Sequence, residues 1–203
     1  MQPTEKFWQW FTDHNEQLIT LGDFDDTERT ALLENLQQQL TAYRDGITFD
    51  LGAPTANGRT LTFTAEGDTD LFLYVVELVD SAPDLDWWEF VAFKQPCGTP
   101  VKVRFDKYSF DSSKMHFMQL ENEAEPDILG LRVALPNHVA DDDDLLVGTY
   151  VTLEAIMGEF DCATLVGYLE TCPVPDEPFK EGFRPLDDLP EFVEWFKRKR
   201  DAE

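Results

Sequence analysis

Two stretches of the sequence, residues 47–93 and 115–169, show the same order of apolar periodicities, and this order restricts the fold more than any other feature. In each stretch, two segments of alternating apolar and polar residues are followed by apolar residues at helical spacing and then by a third β-rich segment. Each stretch therefore predicts a β-β-α-β unit. Two such units predict an α+β fold, with a mixed or antiparallel sheet and helices packed mainly on one face.

The flanking segments complete what we expect to be a single α+β domain over residues 1–203. A helical pair is expected over residues 1–46, where Asp25 and Glu28 show the spacing of a capping box at the start of the second helix. A proline-rich strap and a closing helix are expected over residues 173–203.

Acidic side chains outnumber basic ones by 41 to 16, which gives a formal net charge of −25. Hydrophobic residues still make up 42% of the chain, which is enough for a folded core. Because this charge repels phosphate groups, we expect neither a nucleic-acid partner nor a membrane partner. Residues 94–114, here called the basic segment, contain five basic and two acidic residues. The basic segment is a candidate contact with an acidic face of a second copy in a homodimer.

The stretch between Arg132 and Lys180 contains ten acidic residues and no basic one. A field of one sign attracts and steers a cationic protein, so this stretch predicts a docking surface for a basic partner. The candidate partner-binding acids are Asp141, Asp142, Asp143, Asp144, Glu154, Glu159 and Asp161. The alternatives are acids kept for solubility or for a salty cytoplasm, and a calcium site.

The run of four aspartates at 141–144 has a local explanation as well. It precedes a segment that we expect to form one long helix from Leu145 to Phe160, followed by a strand over residues 165–169. Acidic side chains at the start of a helix are stabilised by the helix dipole, so the run needs no ligand.

Aromatic residues cluster at 7–11, 87–90 and 195–196. Adjacent side chains on a helix or strand point in different directions, so a whole cluster cannot enter one core. Trp is frequent among the residues that dominate binding energy at protein interfaces. Trp10 and Trp87 are therefore candidate anchors for a partner, and the alternative is that they fill space between helix and sheet layers.

The sequence shows no recognisable catalytic constellation. The three histidines lack a second His or Cys at metal-ligand spacing, and no phosphate-binding glycine loop is present. Cys97 stands in a turn without a neighbouring His. We expect no cofactor and no metal, and an enzyme is the less favoured hypothesis. Its form would be a hydrolase built on Glu159, Asp161 and His138.

Cysteine usage and hydropathy point to a compartment. The three cysteines are an odd number without CxxC spacing, which is typical of a reducing environment. The first residues lack the basic start and apolar run of an export signal, and no apolar stretch is long enough for a spanning helix. We expect a cytoplasmic protein.

Three segments resemble uncharacterised bacterial domain families to which no activity is assigned. They are Phe7-Trp8-x-Trp10-Phe11, Ala82-Pro83-Asp84-Leu85-Asp86-Trp87-Trp88-Glu89-Phe90, and Leu153-Glu154-Ala155-Ile156-Met157-Gly158-Glu159-Phe160-Asp161 followed by Leu165-Val166-Gly167-Tyr168. The resemblance implies an intact bacterial domain and supplies no catalytic residue. The apolar core, the missing catalytic constellation and the acidity of one sign favour a non-enzymatic interaction protein that binds a basic partner, as an immunity protein or another inhibitor does.

Overall fold

The computed structural model describes residues 2–200, so the last three residues of the predicted closing segment lie outside it. The chain folds into two compact units, Met1–Lys94 and Gln95–Glu203, and each is described by itself below. The α+β prediction is confirmed, since helices pack with mixed and antiparallel sheets. The single domain over residues 1–203 stays a prediction.

The first unit begins with two helices whose starts follow from their caps. Helix α1 (Pro3–Ile19) has proline at its first position, and helix α2 (Asp26–Tyr43) starts after Asp25. The Asp25 carboxylate accepts hydrogen bonds from the backbone N–H groups of Thr27 and Glu28, both at 2.9 Å. The capping box expected from the sequence is therefore present.

A three-stranded sheet completes the first unit. Its elements are β1 (Thr48–Leu51), β2 (Arg59–Thr64), α3 (Phe72–Asp80) and β3 (Trp88–Ala92). Strand β2 is central, antiparallel to β1 and parallel to β3. Trp8 of α1 packs edge-on against Phe63 of β2 at 5.8 Å, and its indole N–H donates to the carbonyl of Leu78 in α3 at 2.9 Å. Helices α1 and α3 therefore contribute to one core with the sheet.

The second unit contains a hairpin, a four-stranded sheet and three helices. Its elements are β4 (Lys102–Phe105), β5 (Tyr108–Asp111), β6 (His116–Leu120), β7 (Leu129–Leu135), α4 (Asp143–Met157), α5 (Glu159–Leu165), β8 (Val166–Pro173), β9 (Arg184–Pro185) and α6 (Leu189–Arg200). The sheet order is β8-β7-β6-β9, with β6 and β7 antiparallel and β7 and β8 parallel. Strands β6, β7 and β8 therefore repeat the arrangement of β1, β2 and β3, in which the middle strand is antiparallel to the first and parallel to the third.

The core of the second unit lies on one face of its sheet. Leu129, Leu131 and Val133 alternate along β7, are fully buried, and belong to one apolar cluster with residues of α4, α5 and α6. Because side chains alternate between the faces of a strand, Gly130 and Arg132 belong to the opposite face. The helices of this unit therefore pack on the face that carries the leucines.

Three local features differ from the sequence prediction. The expected long helix is broken at Gly158, which has a φ of +82° and separates α4 from α5. The strand expected over 165–169 starts one residue later and extends to Pro173, and strand β5 was not predicted. Periodicity located the apolar residues but missed the break, because the residues on both sides of Gly158 are buried.

None of the helices within residues 2–200 is both long enough and apolar enough to cross a lipid bilayer.

Candidate partner-binding site

A surface groove in the first unit lies between the end of α1 and the loop that leads from α3 into β3. We call it the Trp87 groove, and its volume is about 560 Å³. Its lining residues are Asn15, Glu16, Ile19, Thr20, Leu85, Asp86 and Trp87. The groove is therefore formed by one helix end and one loop, both of which carry a carboxylate.

Trp87 is the most exposed tryptophan described, with 62% of its surface accessible. Its neighbour Trp88 is the first residue of β3 and packs against Phe11 of α1, with ring centroids 4.9 Å apart. Trp87 is the last residue of the loop before β3 and does not share the inward packing of Trp88. One tryptophan of the pair thus belongs to the core and the other to the surface.

The backbone of Trp87 adopts a conformation that bulky residues rarely take. Its φ is +70°, in the left-handed region, where the backbone of a residue other than glycine is strained. The Trp87 carbonyl accepts a hydrogen bond from the backbone N–H of Arg59 at 2.8 Å, and a Cβ at Gly58 would lie 2.2 Å from this carbonyl oxygen. The close approach of β2 therefore holds Trp87 in place. Backbone strain of this kind clusters at functional sites, and four other non-glycine residues of the described chain also have a positive φ.

Arg59 also fixes the other wall of the groove. Its guanidinium donates to the carbonyl of Gly52 at 2.7 Å and to the carbonyl of Leu18, near the end of α1, at 2.6 Å. The last turn of α1 contains no basic residue of its own. Arg59 therefore ties the helix end to the sheet, and both walls of the groove are held by one residue of β2.

The charge and shape of the groove suit a cation. Glu16 and Asp86 supply carboxylates, whereas the partial negative charge at the end of α1 is already met by the Arg59 guanidinium on the Leu18 carbonyl. The face of an indole ring attracts ammonium and guanidinium groups, with energies from about 0.5 to 2 kcal/mol. A lysine or arginine side chain can meet all of these features at once.

The predicted acidic surface of the second unit is used mostly for local structure. Asp142 caps α4 by accepting from the Leu145 N–H at 3.1 Å, and its other carboxylate oxygen accepts from the Tyr108 hydroxyl at 2.6 Å. The hydrogen bond from Tyr108 lowers the pKa of Asp142, with further lowering from the Leu145 amide and Lys107. Asp142 is therefore engaged within its own unit.

The other three aspartates of the run are exposed at the start of the helix. Asp143 and Asp144 lie in the first turn of α4, and Asp141 precedes the cap with a φ of +55°. These positions are those that the helix dipole favours.

The acids farther along the stretch do not share the exposure that a docking surface requires. Glu159 is completely buried at the start of α5, so its assignment as a partner-binding residue is wrong. Asp161 is partly buried and accepts from the Lys197 ammonium at 2.8 Å. Glu154 is half-buried on α4. The turn at Gly158 places Glu159 inward, which helical spacing alone did not predict.

Trp10, the second predicted anchor, does not line the Trp87 groove. It is half-buried on α1 and stacks on His14 one turn later, with ring centroids 4.4 Å apart. The sequence indicated Trp87 through the Trp87-Trp88 pair. It did not indicate Glu16, Asp86 or Arg59, because their roles depend on contacts between distant segments.

The residues of the alternative hypotheses do not form an evident reaction centre. Glu159 is buried and Asp161 is paired with Lys197, so neither carboxylate is free in an open cleft. Within residues 2–200, no group of three or more His, Cys, Asp or Glu side chains is arranged to hold a metal ion. Neither the hydrolase nor the calcium site is proposed further.

No protein-family model, curated protein or solved structure matches the chain. The resemblance to bacterial domain families stays a prediction.

Proposed function

We propose that this protein is a non-enzymatic interaction protein that binds a basic polypeptide, and that the Trp87 groove receives a lysine or arginine side chain of that partner. The observation that carries the proposal is Trp87 itself, an exposed aromatic side chain held in left-handed backbone beside two carboxylates. A rigid aromatic anchor loses little conformational entropy on binding, which favours affinity.

The charge of the first unit supports the same partner. Residues 1–94 contain 18 acidic and five basic residues, and four of the five are engaged locally. Arg29 pairs with Asp26, and the Arg44 guanidinium lies 3.6 Å from the centre of the Tyr74 ring. Arg59 donates to backbone carbonyls, and Lys94 pairs with Glu66 at 2.6 Å. The field of this unit therefore attracts a cationic partner and speeds its encounter.

Binding of this kind has a direct biological use. A protein that covers a basic surface prevents that surface from contacting nucleic acid or membranes, which is how an immunity protein or another inhibitor acts on a cationic toxin. The proposal includes a bacterial, cytoplasmic location, which is consistent with three cysteines that form no disulfide.

The test is binding of a fluorescent oligolysine peptide, measured by anisotropy at low and high salt. Trp87→Gly removes the ring and accepts the backbone conformation, so it tests binding without adding strain. Trp195→Ala is the matched control, because Trp195 is also exposed and lies outside the groove.

We expect Trp87→Gly to weaken binding by at least about tenfold, the loss of a typical interface anchor, and Trp195→Ala to change it by less than about twofold. Equal losses for the two variants would contradict the assignment of the groove. Absence of binding at low salt would contradict the basic partner.

A further inference from the structure

The basic segment of the sequence forms a second, oppositely charged site. Its first residue, Lys94, belongs to the first unit, while Lys102, Lys107 and Lys114 line a cleft of about 450 Å³ in the second unit. This volume lies in the range of pockets that hold small molecules. We call it the lysine cleft.

The three lysines of the cleft are only loosely paired. The Nζ atoms of Lys102 and Lys114 lie 3.5 and 3.7 Å from the same oxygen of Asp111, and Nζ of Lys107 lies 3.7 Å from Asp142. These distances exceed those of an ordinary hydrogen bond, about 2.7–3.2 Å. The ammonium groups therefore keep donors available, and all three side chains are at least 61% exposed.

Other lysines of the same unit are paired closely. Nζ of Lys180 lies 2.6 Å from Glu177, and Nζ of Lys197 lies 2.8 Å from Asp161. In a chain with 41 acidic residues, partners for lysines are abundant. The three lysines around this concavity are thus paired more loosely than Lys180 and Lys197.

The remaining walls of the cleft are partly apolar and partly polar, and the polar part includes the Asp111 carboxylate, Tyr108, Ser109 and Asn137. Buried Phe110, Met115, Leu135 and Leu145 line it together with the lysines. Phe110 packs closely over α4 at Gly148, where an added Cβ would lie 2.4 Å from the ring. The cleft thus offers cationic donors and an apolar surface to the same ligand.

We propose that the lysine cleft binds a small phosphate-bearing molecule that has an apolar or aromatic part. The three ammonium groups exceed the adjacent carboxylates of Asp111 and Asp142 by one positive charge, and lysine binds phosphate as a point charge. The net charge of the chain repels long polyanions, whereas a small anion reaches the cleft with few unfavourable contacts. This inference does not depend on the proposed function.

The test is isothermal titration calorimetry with adenosine monophosphate, inorganic phosphate and adenosine as probes. The variant is Lys102→Ala/Lys107→Ala/Lys114→Ala, and each single variant is measured as well. Arg104→Ala is the matched control, because Arg104 is exposed on the same hairpin and does not line the cleft. Thermal unfolding verifies that each variant is folded.

We expect adenosine monophosphate to bind with a Kd below about 1 mM, phosphate to bind more weakly and adenosine not to bind. The triple variant should lose at least about tenfold in affinity, and Arg104→Ala less than about twofold. Absence of binding by the wild-type protein, or an equal loss in Arg104→Ala, would overturn the proposal. Tighter binding of polyglutamate than of adenosine monophosphate would overturn it in favour of an acidic protein.

Discussion

The two β-β-α-β segments of this protein share one strand arrangement but reach their third strand in different ways. In the first unit, α3 ends at Asp80 and a loop over residues 81–87 leads to β3. In the second unit, α5 ends at Leu165 and β8 begins at the next residue. The last helix of the second unit therefore runs directly into the third strand.

This difference identifies which part of the first unit is free to serve function. The second unit forms the same parallel pairing with no loop between its last helix and its third strand, so a segment like residues 81–87 is not needed at that point of the topology. They carry Leu85, Asp86 and Trp87, which form one wall of the Trp87 groove. Loops carried by a rigid scaffold are common sites of binding, and this loop ends on a strained, exposed tryptophan.

The largest predicted effect tests whether the two segments are equivalent in the core. Leu61 of β2 and Leu131 of β7 are both completely buried on the middle strand of the segment. Leu61→Ala and Leu131→Ala should each lower the free energy of unfolding by about 3–5 kcal/mol, the cost of a cavity in a core. Chemical denaturation measures both, and a loss below about 1 kcal/mol in either would contradict the shared architecture.

A smaller effect is expected from a comparison of two glycines. Gly58 packs against the end of the loop over residues 81–87, and Gly98 has open space around it. At Gly58, φ is +114° and an added Cβ would lie 2.2 Å from the Trp87 carbonyl, whereas at Gly98 φ is +78° and no atom lies within 4 Å. Gly58→Ala should cost about 3 kcal/mol or more from overlap and backbone strain, and Gly98→Ala only about 1–2 kcal/mol from the backbone. Equal costs would show that β2 does not hold Trp87.

The carboxylates of the Trp87 groove should matter more for binding than other acids of the first unit. Glu16→Gln/Asp86→Asn should weaken oligolysine binding by about fivefold to tenfold, because both carboxylates line the groove. Asp45→Asn/Asp50→Asn removes the same charge at exposed positions outside the groove. An equal loss in this control would indicate a general effect of charge.

The smallest effect concerns the sheet face away from the helices. On that face, Glu89 of β3 accepts from the Thr60 hydroxyl at 3.0 Å, and Glu170 of β8 accepts from Tyr168 at 2.8 Å and from Arg132. The hydrogen bond from Tyr168 is the largest cause that lowers the pKa of Glu170. Tyr168→Phe should therefore raise the pKa of Glu170, measured by NMR titration.

The sign of the accompanying stability change follows from that pKa. A carboxyl whose pKa is lower in the folded state stabilises the fold above its unfolded pKa of about 4.3. The Glu170 contribution should therefore be lost as the pH falls below that value through the folded pKa. A Glu170 pKa unchanged by Tyr168→Phe would contradict this interaction.

Local sequence patterns predicted helices and strands, whereas contacts between distant segments form the Trp87 groove and the lysine cleft. Alternation and helical spacing predicted the order of β1, β2, α3 and β3 within residues 47–93, because one face of each element is buried. The Trp87 groove joins the end of α1 to a loop some seventy residues later, through Arg59, and no local signal reports such a contact. Loose pairing of the cleft lysines likewise depends on the folded positions of Asp111 and Asp142.

Docking of a basic partner on Trp87 is tested most directly by NMR titration of the protein with unlabelled oligolysine. The titration is followed at the indole N–H signals of the five tryptophans. We expect the Trp87 signal, assigned from Trp87→Gly, to shift until oligolysine binding is saturated, and the Trp195 signal to stay in place. A stationary Trp87 signal, with shifts confined to the backbone amides of residues 141–144, would contradict it.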